Sequence, residues 1–333
     1  MGTGVIRAAA VQAAPVFLDL DASVAKAVSL VEEAASNGAD LVAFPESWIP
    51  GYPAWIFGAA GWDDPGAKKV YGRFHANAVA VPSPAADSLS RAAKAGDVVL
   101  VMGMTERDGG TLYNSLLTVS PEGTILGVHR KIMPTHAERI VWGQGDGSSL
   151  FVADTPAGKV GGLICWEHWM PLTRFAMHAK GEEIHVAAWP EVGDPELHRF
   201  ASRHYVFEGR CFSVCVMGAS LRPGALPAGF ELPGAMGAAD DFAAAAKPGT
   251  AIFAPDGTVV AEAIAGEETI VYGDLDLGRI AEEQQALDVV GHYNRPDIFD
   301  LRVDETSRQP VSWAGRAEAP TLPAEVETLL PAP

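Results

Sequence analysis

Leu41-Val42-Ala43-Phe44-Pro45-Glu46 runs as four apolar residues, then a proline and a carboxylate. Apolar residues without polar alternation predict a strand buried on both faces, too short to be a helix. Val98–Met104, Val160–Cys165, Ile184–Ala188 and Phe212–Met217 repeat the pattern, and Val5–Gln12 is also strand-like. Between them lie helical segments. Leu20, Val24, Val28 and Val31 mark one face of a helix that stops at Asn37-Gly38, a C-cap pair. Leu172–Ala179 and Pro195–Arg210 also read as helices, and another precedes Val98. Two hairpins are signalled, Leu112–Val119 with Thr124–His129 around Pro121-Glu122-Gly123, and Gly249–Ala254 with Thr258–Ala263 around Pro255-Asp256-Gly257. Strands mixed with helices and hairpins predict a layered α/β domain with partly antiparallel sheets, covered by helices and by each other. No linker divides the chain, so one domain is expected over residues 1–303. Residues 304–333, rich in Pro, Ala and Glu, read as a tail, loosely ordered or lying on a neighbouring subunit.

Composition narrows the function. Among 333 residues, 24 Lys+Arg face 42 Asp+Glu, a net charge of −18. That balance argues against a nucleic-acid partner, which needs clustered cations to displace counterions, and against anionic membrane surfaces. The longest stretch free of charged side chains, Ser47–Trp62, is broken by Pro50, Gly51, Pro53, Gly58 and Gly61, so it reads as a loop and not a membrane span. The segment from Arg7 to Gln12 lacks the sustained apolar core of an export signal. Three cysteines cannot build a disulfide framework and fit a reducing cytoplasm.

Reactive residue types fall at predicted strand ends. Glu46 follows Phe44-Pro45, Lys131 follows His129-Arg130, and Cys165 closes Gly161-Gly162-Leu163-Ile164. Ligands gather at the carboxyl ends of strands in open α/β sheets. A cysteine at a strand-to-helix turn meets free N–H groups and a helix dipole, which favour a thiolate. It needs a base to take its proton and donors to hold developing negative charge, and Glu46 and Lys131 are of those types. Free Cys near ~8.5 and free Glu near ~4.3 leave about 6 kcal/mol against proton transfer. Burial of the glutamate and an ammonium beside the thiol would narrow that gap, while the same ammonium lowers the glutamate. Glu138 is a second carboxylate able to bind Lys131. Taken singly, a buried thiol is more often a core filler, the reading kept for Cys211 and Cys215, and a lone Glu or Lys is more often solvated.

Longer motifs supply the joint context. Phe44-Pro45-Glu46-Ser47-Trp48 with Pro50-Gly51-Tyr52-Pro53 resembles the glutamate motif of the nitrilase superfamily of carbon-nitrogen hydrolases. His129-Arg130-Lys131-Ile132-Met133-Pro134-Thr135-His136-Ala137-Glu138-Arg139, continuing to Trp142-Gly143-Gln144-Gly145-Asp146-Gly147, resembles the lysine motif of its true nitrilase branch. Gly161-Gly162-Leu163-Ile164-Cys165-Trp166-Glu167 with Met170-Pro171-Leu172 resembles the cysteine motif, and Gly291–Asp297 a late segment. The resemblance, in order along the chain, spans about residues 5 to 300. It departs at His168-Trp169, where related nitrilases often carry Asn-Tyr, and at Ala243–Thr250.

The resemblance implies an α-β-β-α sandwich of two stacked mixed sheets flanked by helices, paired into a homodimer or a larger spiral. It implies a triad of Glu46, Lys131 and Cys165, with Glu138 as supporting carboxylate. The implied reaction takes a small-molecule nitrile to the acid and ammonia through a thioimidate and a thioester, without cofactor or metal. Tyr52, Trp166 and Trp189 are candidates for the substrate pocket, and the Trp166 backbone N–H for holding charge. Alternatives are an amidase or carbamoylase on the same scaffold, a cyanide-degrading nitrilase, and a non-catalytic scaffold. A zinc deaminase signature is incomplete, since His136-x-Glu138 is not followed by Pro-Cys-x-x-Cys. The nine histidines show no zinc-ligand spacing, and there is no Gly-x-Ser-x-Gly elbow or dinucleotide loop. A metal-dependent nitrile hydratase would need clustered cysteine ligands.

Overall fold

The structure, a computed structural model, describes residues 4–57, 63–219, 247–308 and 311. Among them, twelve strands form two six-stranded sheets. The first contains β1 (Val5–Gln12), β2 (Leu41–Ala43), β3 (Val99–Asp108), β4 (Thr111–Val119), β5 (Ile125–Arg130) and β12 (Thr269–Asp276), in the order β12-β1-β2-β3-β4-β5. The second contains β6 (Val152–Thr155), β7 (Gly158–Ile164), β8 (Ile184–Trp189), β9 (Phe212–Met217), β10 (Pro248–Phe253) and β11 (Val259–Ile264), in the order β11-β10-β9-β8-β7-β6. Both sheets are mixed. The strands β1-β2-β3 and β7-β8-β9 are parallel, and their flanks are antiparallel.

Alternation along β1 shows why the apolar runs lack polar positions. Ala8 and Ala10 pack with Val160, Leu163, Val186 and Val214 between the sheets, whereas Ala9 and Val11 pack outward with Val24, Ala27 and Val31. Those outward partners belong to α1 (Leu20–Ser36), which contacts α3 (Pro84–Gly96). On the other side α4 (Pro171–Ala179) and α5 (Pro195–Gly209) cover the second sheet. The four layers are therefore α-β-β-α, as expected. Capping follows the sequence. Asp19 and Ser83 accept from the backbone N–H groups of Ala22 and Ala86, and α1 ends at Asn37.

Four elements were not expected: α2 (Pro65–Ala76), β6, β12 and α6 (Gly278–Gln284). The strand β12 pairs antiparallel with β1 from Val5↔Asp276 to Gln12↔Thr269. It is a half-exposed edge carrying Gly273, Asp274 and Asp276, residues of low strand propensity, so pairing and not local preference makes it a strand. Within the expected loop at 47–62, residues Ala54–Phe57 form a 3-10 turn. Most of the expected tail, and residues 243–246, lie outside the described residues. Of the tail, the Arg308 N–H donates to Asp146 at 2.7 Å and Glu305 meets Lys180.

Candidate active site

Glu46, Lys131 and Cys165 each stand just beyond the carboxyl end of a strand, β2, β5 and β7 respectively. Pro45 ends β2 and turns the chain across the sheet. The turn passes so close to Gly103 of β3 that a Cβ there would collide with the Pro45 carbonyl. It then reaches the second sheet, where the Glu46 N–H donates to the Trp189 carbonyl at 3.3 Å. Lys131 is held by its own N–H on the Asn114 carbonyl at 2.8 Å and by the Gly145 N–H on its carbonyl at 2.9 Å. The glycine-rich segment after Trp142 is thus a brace for the lysine loop.

The three side chains, distant in sequence, meet in the interior. Lys131 Nζ donates to Glu46 Oε1 at 2.8 Å and to Glu138 Oε2 at 2.7 Å, all fully or almost fully buried. One donor atom each from Glu46, Glu138 and Cys165 lie within 4.8 Å of one another. Such a trio could ligate a cation, but the Lys131 ammonium already bridges both carboxylates and supplies the positive charge a metal would bring. Glu138 is also clamped by the Tyr52 hydroxyl at 2.7 Å and the Thr135 N–H at 2.7 Å. Glu46 Oε1 takes a second donor, Asn114 Nδ2, at 2.6 Å, whereas the buried Oε2 has no partner.

Electrostatics follow from this burial. Desolvation lifts the Glu46 carboxyl to about 7, even though Lys131 and Asn114 pull it down. Burial opposes the Lys131 charge, but Glu46, Cys165 and Glu138 outweigh it and hold the ammonium above its ordinary range. The Cys165 thiol is pushed well up by burial and by Glu46, against the downward pull of Lys131. This corrects the expectation of a favoured thiolate. The element after Cys165 is a single 3-10 turn, Cys165–Trp169, with α4 starting only at Pro171, and two carboxylates face the sulfur. The resting thiol therefore keeps its proton. Its backbone is strained, with φ at +52°, at a cost of roughly 1–2 kcal/mol for a residue with a Cβ.

Sequence reasoning missed several supports. Asn114 is a polar side chain inside the apolar strand β4, a signal that was available. Glu167 joins the cysteine and lysine loops, taking the N–H groups of Ile164 and Ile132, each at 2.8 Å, and pairing with His129 at 2.9 Å. Burial works against its ionisation, but His129 and the two backbone donors prevail and keep it low. The expected pocket aromatics are placed differently from one another. Tyr52 is in the cluster and buried. Trp166, in the 3-10 turn, is 54% exposed. Trp189 is fully buried, stacked between His168 and His198 with its N–H on Ser202, and meets the site through its carbonyl.

The chain is similar to known proteins in sequence and in fold. A family model described as carbon-nitrogen hydrolase matches residues 7–285. A bifunctional nitrilase/nitrile hydratase of Nicotiana tabacum is 42% identical over 314 residues, 93% of this chain and 89% of the relative. An aliphatic nitrilase of Rhodococcus rhodochrous is 39% identical over 329 residues, 94% of this chain and 86% of the relative. A carbon-nitrogen hydrolase crystal structure from Helicobacter pylori G27 superposes with a TM-score of 0.65 at 20% identity, covering 89% and 97% of the two chains.

Proposed function

The chain belongs to the carbon-nitrogen hydrolase family, in its nitrilase branch, and from that membership we propose that it hydrolyses a small nitrile at Cys165. The observation that carries the assignment of roles is the buried cluster in which Lys131 holds Glu46 by one oxygen and leaves the other unpartnered. That free Oε2 suits a base for the thiol and later for water. The sulfur adds to the nitrile carbon while its proton passes through Glu46 to the nitrogen, giving a thioimidate. A water deprotonated by Glu46 attacks, ammonia leaves, and a thioester remains. A second water releases the carboxylic acid and returns the thiol, so R–C≡N and two waters become R–COOH and ammonia. Two of the three Lys131 N–H groups are engaged by carboxylates, and the third is available to developing charge. The Trp166 N–H, early in its 3-10 turn, lacks an intrahelical acceptor and suits the same task. Tyr52 would line the substrate side of Glu138, and Trp189 would act through its carbonyl, which holds the Glu46 backbone.

The test is a panel of aromatic, arylaliphatic and aliphatic nitriles, cyanide and the matching amides, with acid, amide and ammonia all measured. Acid and ammonia from a nitrile are expected; hydrolysis of amides alone would overturn the reading. Turnover should also depend on pH in one direction. Below about 7 Glu46 carries a proton and cannot take the thiol's, so kcat/KM should fall about tenfold per pH unit on the acid side. A flat profile from pH 5 to 8 would remove Glu46 from the base role.

A second copy of the chain is the proposed partner. Leu172 on α4 and Leu197, Phe200 and Phe207 on α5 are exposed, with Trp169 stacked on Phe200 at 6.1 Å, an apolar face over the second sheet. Phe200→Glu is expected to shift sedimentation from dimer or larger species to monomer; unchanged sedimentation would place the interface elsewhere. Among the described residues, no helix is long and apolar enough to cross a membrane. Three unpaired cysteines support a reducing, cytoplasmic setting, which cell fractionation would test.

A further inference from the structure

Beneath the nucleophile lies a buried polar chain that the proposed mechanism does not use. His168 Nδ1 lies 2.6 Å from the Cys165 carbonyl, and its Nε2 lies 2.9 Å from His185 Nε2. His185 Nδ1 lies 2.8 Å from Glu182 Oε1, and the Tyr205 hydroxyl donates to Glu182 Oε2 at 2.6 Å. All four side chains are buried, and the rings are held by stacking, His168 on Trp189 and His185 on Tyr205. Gly161 leaves the space that the Glu182 carboxyl fills, because a Cβ there would collide with Oε1.

The carbonyl at one end fixes the direction of every bond. It can only accept, so His168 carries its proton on Nδ1, and its bare Nε2 accepts from His185 Nε2–H. A neutral His185 then has a bare Nδ1, which accepts from a protonated Glu182 Oε1. Oε2 accepts from Tyr205. Desolvation agrees with this assignment: it holds both imidazoles well below their ordinary range and lifts Glu182 to about 8.

We propose that Tyr205, Glu182, His185 and His168 are positioning residues, an uncharged, one-way hydrogen-bond chain that grips the Cys165 carbonyl and holds the strained nucleophile in attacking geometry. The inference rests on Cys165 being the nucleophile. Glu182→Gln keeps the direction, since its NH2 donates to His185 and its carbonyl accepts from Tyr205. Glu182→Leu breaks it, and His168→Phe breaks it beside the nucleophile while filling the ring's volume.

The experiment measures the rate of Cys165 alkylation by iodoacetamide, mapped by peptide mass spectrometry, beside kcat and KM on the best nitrile. Circular dichroism and thermal unfolding report the fold. Glu182→Leu, or His168→Phe should the leucine variant not fold, is expected to lower alkylation and kcat about tenfold or more with KM nearly unchanged, and Glu182→Gln to stay within about threefold of wild type. A folded Glu182→Gln protein as slow as the broken variants would overturn the proposal. So would a folded broken variant that alkylates at the wild-type rate. A wild-type protein that alkylates at Cys165 but turns over no nitrile would sink the nitrilase reading alone and leave this test standing.

Discussion

Cys165→Ala is expected to lower nitrile turnover by at least about 10⁴-fold while the protein stays folded. Alanine meets the same left-handed backbone at φ +52° as cysteine does, so the turn neither gains nor loses strain. Cys165 belongs to the core cluster that contains Leu163, Ile164 and Trp189, and removal of its sulfur leaves a void of about one atom. What disappears is the atom that forms the thioimidate, and water in its place has no route to a covalent intermediate. Ammonia release beside thermal unfolding checks both halves. Turnover within tenfold of wild type would refute the nucleophile assignment.

The second large effect is on stability. Lys131→Met should destabilise the fold by about 3–5 kcal/mol near neutral pH, because Glu46 and Glu138 lose the one ammonium between them. Two carboxylates left in a dry site must either remain charged at high cost or take up protons. Glu46 is already raised to about 7 with the lysine present, so without it the folded state binds more protons than the unfolded chain over a wide pH range. Stability of the variant then increases as pH falls. The gap in melting temperature between variant and wild type should be wider at pH 8 than at pH 5, and activity should be lost at both. Equal melting temperatures at pH 8 would show that Lys131 does not neutralise the pair.

Much of the layer order was legible along the chain. The runs 41–44 and 98–104 are apolar throughout because β2 and β3 touch helices on one face and the other sheet on the opposite face. Hairpins around Gly123 and Gly257 were legible because those turns need a positive φ, +83° and +80°. Edge elements such as β12 were hidden. A half-exposed strand with aspartates carries little local signal, and its partner β1 is more than 250 residues away.

The site divides the same way. Positions just past strand ends made Glu46, Lys131 and Cys165 candidates, and the resemblance of the longer motifs joined them with Glu138 as a set. Local sequence also marked α1, α3, α4 and α5, the two hairpins and the acidic balance, because propensity, capping and charge act within a few residues. Only the folded chain decided that the thiol keeps its proton, that one oxygen of Glu46 is left free, and that a chain of histidines runs beneath Cys165. Those outcomes depend on desolvation and on side-chain hydrogen bonds between separate elements, and both come into being only when the chain folds.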